Sequence, residues 1–164
     1  MRPSVPPAVV DWTALARPFH FPQVDQGDAC PRSSARTVSK ALDLALGDGP
    51  VYPIGLPDGV LHVVAGGDSY LQKMMWVSSS SYLGPVLVRG SRLDGPGRLQ
   101  FAMPSSEPTD ELRLQKPTAS SAGEEVGWRE WPLYTEVTGF GCYAYQVDGT
   151  SFSTVIVFEA RLGD

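Results

Sequence analysis

Asparagine is missing altogether from the 164 residues, isoleucine occurs only twice (Ile54 and Ile156), and there are three lysines against ten arginines. All three depleted residue types use AT-rich codons, so the bias points to a GC-rich, bacterial genome and carries no functional meaning. Without asparagine there is no acceptor for N-linked glycosylation. Positive charge is sparse and scattered: thirteen Lys and Arg against eighteen Asp and Glu leave a net charge of −5. Nucleic acid recognition needs a clustered cationic face that releases counterions, and attraction to an anionic membrane needs the same, so both are disfavoured partners. No apolar run approaches the roughly 18 residues that span a bilayer, and no transmembrane segment is expected.

Metal chemistry has little to work with. The two histidines are His20 and His62, and neither His nor Met follows Cys142, so a blue-copper ligand loop cannot be assembled there. A zinc site of two Cys and two His would require four unrelated segments to converge. No metal or other cofactor is expected, and His62, within Val60-Leu61-His62-Val63-Val64, reads as a strand histidine. No G-x-S-x-G elbow is present, and Gly95-Pro96-Gly97 lacks the third glycine and the helix of a phosphate-binding loop.

What is abundant is turn-forming residues. Seventeen Gly and fifteen Pro sit in a chain that is 42% hydrophobic and only 19% charged, the balance of a loop-rich, mostly β globular domain. Prolines 3, 6, 7, 18, 22 and 31 break every periodic pattern in residues 1–48, which read as an irregular arm wrapping the domain. The arm's one helical pattern is Arg36–Leu46, with Val38, Ala41, Leu42, Ala45 and Leu46 on one face before Gly47. Residues 49–164 read as a β-sandwich. Short β-rich runs there alternate with Gly, Pro and Asp at intervals of roughly 8 to 14 residues. Ten strands are predicted: Val51–Leu56, Val60–Ala65, Leu71–Ser78, Pro85–Gly90, Leu99–Met103, Glu111–Gln115, Gly127–Trp131, Tyr134–Thr138, Phe140–Val147 and Ser153–Ala160. Lys116–Glu125 reads as a long loop.

Asp148-Gly149 between the last two runs predicts a two-residue type I′ hairpin with facing residue numbers summing to 297, as in Tyr145 opposite Phe152. Both faces of that hairpin are apolar, so it belongs at the centre of a sheet. Arg89 and Asp94 flank a predicted turn, Gly90-Ser91-Arg92, which a salt bridge between them would fix.

The cysteines, Cys30 and Cys142, are 112 positions apart. Cys30 lies in a polar context, Asp28-Ala29-Cys30-Pro31, where a buried thiol has little reason to be, and a single disulfide is expected. The alternative is two free buried thiols. A disulfide implies an oxidising compartment, extracellular or in the cell envelope. Met1–Val10 has three prolines and no apolar stretch of signal-peptide length, so either a leader has been removed or the chain stays in the cytosol and the bridge does not form.

The segments Gly84-Pro85-Val86-Leu87-Val88-Arg89-Gly90, Leu93-Asp94-Gly95-Pro96, Gly127-Trp128-Arg129-Glu130-Trp131-Pro132 and Gly141-Cys142-Tyr143-Ala144-Tyr145-Gln146-Val147-Asp148-Gly149 resemble uncharacterised exported or lipid-anchored proteins of actinobacteria and related GC-rich bacteria. The resemblance covers roughly residues 28–160. It implies an immunoglobulin-like antiparallel β-sandwich in which a late Gly-Cys-aromatic strand bridges to an upstream cysteine, and it implies no activity. The chain departs from the antibody pattern in two respects: its first cysteine lies in the arm, and Phe140 stands where a tyrosine corner would need Tyr.

These features favour a non-catalytic binding or interaction module, with an envelope glycan or a protein as partner. The candidate binding residues are Trp128, Trp131 and Tyr134. Strand alternation puts the two indoles on opposite faces, so one enters the core and the other, exposed beside Tyr134, can stack on a sugar or anchor a partner. The plainer alternative packs both, one of them beneath the Lys116–Glu125 loop. Two other classes stay open. One is a small envelope hydrolase using two of the strand-borne carboxylates Asp94, Glu130, Glu136, Asp148 and Glu159, which needs a pair roughly 5 to 9.5 Å apart. The other is a structural subunit of a larger assembly.

Overall fold

The computed structural model describes residues 9–40, 42–104, 106–115 and 127–163. Eleven strands form in chain order: β1 Ala35–Arg36, β2 Ala45–Leu46, β3 Val51–Ile54, β4 Val60–Gly66, β5 Ser69–Ser78, β6 Val86–Arg92, β7 Leu99–Ala102, β8 Glu111–Leu114, β9 Arg129–Val137, β10 Gly141–Asp148 and β11 Ser153–Leu162. The fold is all-β and sandwich-like. One sheet carries β1-β2-β3-β5-β9-β7, and the other carries β11-β10-β6-β8.

Strand β4 belongs to both. Its first half, Val60–Val63, runs parallel to Glu159–Leu162 of β11, and its second half, Val64–Gly66, pairs with Ser69–Leu71 of β5. This is the single parallel pairing among otherwise antiparallel ladders of the described strands. Phe101 and Thr109 exchange backbone hydrogen bonds at the opposite seam, so the sheets are joined along both edges.

Alternation dictates the core. Trp76 on β5, Trp131 and Leu133 on β9, Tyr143, Tyr145 and Val147 on β10, and Ile156 and Phe158 on β11 all point between the sheets. The Tyr145 ring meets Phe158 at 4.6 Å and the edge of Trp76 at 5.0 Å. Its hydroxyl bonds Thr135 at 2.7 Å, which satisfies the one polar atom this ring brings into the interior. Burial raises the Tyr145 hydroxyl's pKa well above the ordinary phenol value.

Several expectations need correction. The Arg36–Leu46 helix does not form. Ala45 enters a cluster outside the first sheet while Leu46 enters the core, an alternation of period two, and Gly47 turns the chain at φ +94°. The only described α-helix is α1, Trp12–Leu15, capped by Asp11 accepting from the Ala14 N–H. Pro132 does not split β9. It lies where β9 pairs with β5 alone, so its missing N–H breaks no second ladder.

The β10–β11 hairpin is central and covered as expected, but its facing numbers sum to 301, with Tyr145 opposite Ile156 and Asp148 opposite Ser153. Asp148 stays in the strand because its carboxylate is fully engaged there. The chain turns instead at Thr150-Ser151, closed by the Gly149 N–H donating to Phe152 O at 2.9 Å. A shift of four preserves side-chain parity, so the faces were assigned correctly although the partners were not.

No turn forms at Gly90–Arg92, since β6 runs through it. Asp94 pairs with Arg92 at 2.9 Å and also accepts the Cys142 N–H at 3.1 Å, while Arg89 goes elsewhere. Burial opposes ionisation of Asp94, but the Arg92 and Cys142 contacts outweigh it and hold its pKa below the ordinary carboxylate value. Tyr143, one residue after Cys142, donates its hydroxyl to Gly139 O at 2.8 Å.

Candidate functional site

The three predicted binding residues do not form one face. Trp131 is 2% exposed and sits in the interior, with the Arg129 guanidinium over its ring at 5.0 Å. Trp128 lies on the outer side of the first sheet, as alternation requires, but at 9% exposure it is packed with Ala45, Ile54 and Val77. Both indoles are therefore packed, as in the plainer alternative, with Val38, Leu42 and Ala45 of the arm against Trp128. Tyr134 alone remains at the surface, half-buried on the outer face between Lys73 of β5 and Ala102 of β7. The Lys116–Glu125 loop lies outside the described residues.

Asp94 and Glu159 both neighbour Cys142, the first through its N–H and the second by register, and each is engaged by an arginine. Glu130 and Glu136 share the outer face of β9 but are six residues apart, roughly 20 Å at strand rise. Glu159 stands opposite Cys142, six residues and a similar distance from Asp148 along β10, and pairs with Arg161 at 2.8 Å. Glu136 accepts from Ser69. Among the described residues no cluster of three or more His, Cys, Asp or Glu occurs. His62 is exposed on β4.

The most elaborate polar arrangement is centred on Asp148, on the outer face of the second sheet, where the arm crosses as a strap. Strand register brings Asp148 beside Leu87 and Ser153, and Gln146 beside Arg89 and Val155. The Asp148 side chain is completely buried. It accepts from Arg89 Nη2 at 2.8 Å, from Ser153 Oγ at 2.6 Å and from the Arg17 N–H at 3.2 Å. Burial opposes its ionisation, but the donors from Ser153, Arg17, Arg89 and Gln146 together prevail and keep its pKa below the usual carboxylate value.

Around this anchor the strap's main chain is bound by buried side chains. Gln146 Oε1 accepts the His20 N–H at 3.0 Å, and Gln146 Nε2 donates to Pro18 O at 3.1 Å. Arg89 Nη2 donates to Arg17 O at 2.5 Å, and its guanidinium covers the Phe19 ring at 4.2 Å. Further along, Phe21, Val24 and Cys30 pack over Cys142, Ala144 and Val157. The strap is then fixed covalently by the expected Cys30–Cys142 disulfide, Cα–Cα 5.4 Å. This bond fastens an arm to the outside of a sheet, unlike the inter-sheet bridge of antibody domains, because Cys142 has the outward parity and Tyr143 the inward one.

His20, Ser153 and Asp148 lie in a row, with His20 Nε2 2.8 Å from Ser153 Oγ. The order is not that of a nucleophilic relay. In such a relay the imidazole stands between the carboxylate and the hydroxyl, whereas here Ser153 stands in the middle and its hydroxyl donates directly to Asp148. The arrangement holds the strap. Sequence reasoning did not single out Gln146 or Arg17 as strap-binding residues, and it weighed His20 only as a metal ligand. The available signal was Gln146 and Asp148, two polar residues of one parity in an otherwise apolar strand.

A shallow groove of about 560 Å³ opens beside α1, lined by Val9, Val10, Leu15, Arg17, Pro85 and Thr150. Comparisons with protein-family models, curated proteins and solved structures find no match to this chain. Fold and site together define an all-β, sandwich-like domain with a disulfide-bonded strap across one face.

Proposed function

We propose that the protein is a non-catalytic binding or interaction module of a GC-rich bacterium, acting outside the reducing cytosol, in the cell envelope or beyond it. The observation that carries this reading is the Cys30–Cys142 bond. It fixes an arm that, among the described residues, adds no member to the interior cluster before Ala35, a construction suited to an oxidising compartment. The polar groups that converge in space are consumed in holding that strap, which favours a rigid scaffold over a reacting centre. The partner is an envelope glycan or an envelope protein. The contact surface is the outer face of the first sheet around Tyr134, where an aromatic ring stands between Lys73 and Ala102.

Co-sedimentation of the oxidised protein with cell envelopes tests the proposal, with protease-treated envelopes separating a glycan from a protein partner. The protein is expected in the pellet, and Tyr134→Ala is expected to weaken retention without altering the melting temperature. Protein left in the supernatant with every envelope preparation overturns the reading.

A further inference from the structure

We propose that the outer face of the second sheet also accepts the strap of a second copy of this chain, so that the protein exchanges straps and forms a dimer. Three observations carry this. First, Gln146, Asp148 and Arg89 recognise the strap through main-chain groups of Arg17, Pro18 and His20, and those hydrogen bonds are the same whichever copy supplies the peptide. Second, the interior cluster contains no strap residue, since its earliest member is Ala35. The strap can therefore leave without opening the space between the sheets. Third, Gln146, Asp148, Cys142 and Ala144 are almost wholly buried, so a face that has lost its own strap is an acceptor for another.

The hinge is Pro31–Arg32, and its opening gives up the Arg32 Nη1 hydrogen bond to Asp58 O at 3.0 Å. It lies between the disulfide and the point where Ser33 meets β11. There the Ser33 N–H donates to Val157 O and the Val157 N–H to Ser33 Oγ, both at 2.9 Å. The extended chain from Cys30 to Ser33 reaches roughly 10 Å, so exchange brings the two outer faces together about a twofold axis, each giving and receiving a strap. In the exchanged form Cys30 of one copy lies against Cys142 of the other.

The test mixes full-length Cys142→Ser, which keeps Cys30, with tagged full-length Cys30→Ser, which keeps Cys142, in oxidised glutathione. Each new disulfide oxidises two thiols and converts one oxidised glutathione into two reduced ones. Strap exchange predicts a linked heterodimer, in clear excess over either homodimer, whose peptide map shows Cys30 joined to Cys142. Adding Gln146→Ala to the Cys30→Ser chain is expected to lower its yield several-fold. With the two chains in equal amounts, heterodimer at no more than twice either homodimer, the ratio that random pairing gives, overturns the proposal.

If near-UV circular dichroism shows that a single-cysteine chain is unfolded, the wild-type protein decides. Light and ¹⁵N-labelled chains are reduced, unfolded and reoxidised together at widely separated protein concentrations. Hybrid light–heavy Cys30–Cys142 peptides that increase with concentration support exchange, and pure-isotope peptides at every concentration refute it.

Discussion

Replacing Asp148 by asparagine removes one charge and almost no volume, which isolates the electrostatic part of the clamp. The Arg89 side chain is 16% exposed and Arg17 is 37% exposed, so the cations left behind are neither fully buried nor freely hydrated. Removing one partner of a fully buried ion pair costs about 3 to 5 kcal/mol, and the residual hydration places this site near the lower end, about 3 kcal/mol. For a domain of this length each kcal/mol shifts the melting temperature by roughly 2–4 °C, which gives a loss of about 6–12 °C near neutral pH.

The pH dependence has a definite sign. Because the folded-state pKa of Asp148 lies below its unfolded value, its contribution is complete above the unfolded carboxylate pKa of about 3.9 and is lost as pH falls through the folded one. The gap between wild type and Asp148→Asn should therefore be widest at neutral pH and close in acid. Urea unfolding of both proteins at about pH 7 and about pH 3 measures it. An equal gap at both pH values, or no gap at pH 7, would refute the claim that an ionised Asp148 clamps the strap.

Other consequences concern the disulfide and the aromatic residues. The bond closes a loop of 112 residues, for which chain entropy gives about 5 kcal/mol; the Cys30→Ser/Cys142→Ser double variant should lose a comparable amount of unfolding free energy in urea. Trp131→Ala opens the core and should cost about 3 to 5 kcal/mol by thermal or chemical denaturation, whereas Tyr134→Ala should stay within about 1 kcal/mol. Tyr143→Phe removes the hydrogen bond to Gly139 and should lower stability by about 1 kcal/mol in the same assay.

Residues with strong local patterning declared their places in advance. The runs around Val60, Leu71, Val86 and Tyr143 became β4, β5, β6 and β10 within a few residues, because alternating apolar side chains and Gly or Pro boundaries act locally. The cysteine pair was legible from the polar surroundings of Cys30. The errors arose where tertiary contacts overrode local preference. Asp148-Gly149 has the composition of a tight turn, yet Arg17 and Arg89 from distant segments, with Ser153 and Gln146 of the hairpin itself, hold Asp148 in the strand and move the turn to Thr150-Ser151. Ala45 and Leu46 fit a helical face, but two sheet surfaces compete for them and split them between two layers. Alternation put the two indoles on opposite faces but did not say which faces inward; Trp131 does, and Trp128 lies on the outer side. Its covering by the arm depends on a path that no local pattern encodes.

The account rests on a strap bonded to the sheet before the protein meets any partner. Intact-mass analysis after alkylation without prior reduction, on protein recovered from its native compartment, tests this most directly. A single species carrying no alkyl group is expected, with two added only after reduction. Two alkylated thiols in the unreduced sample would contradict it.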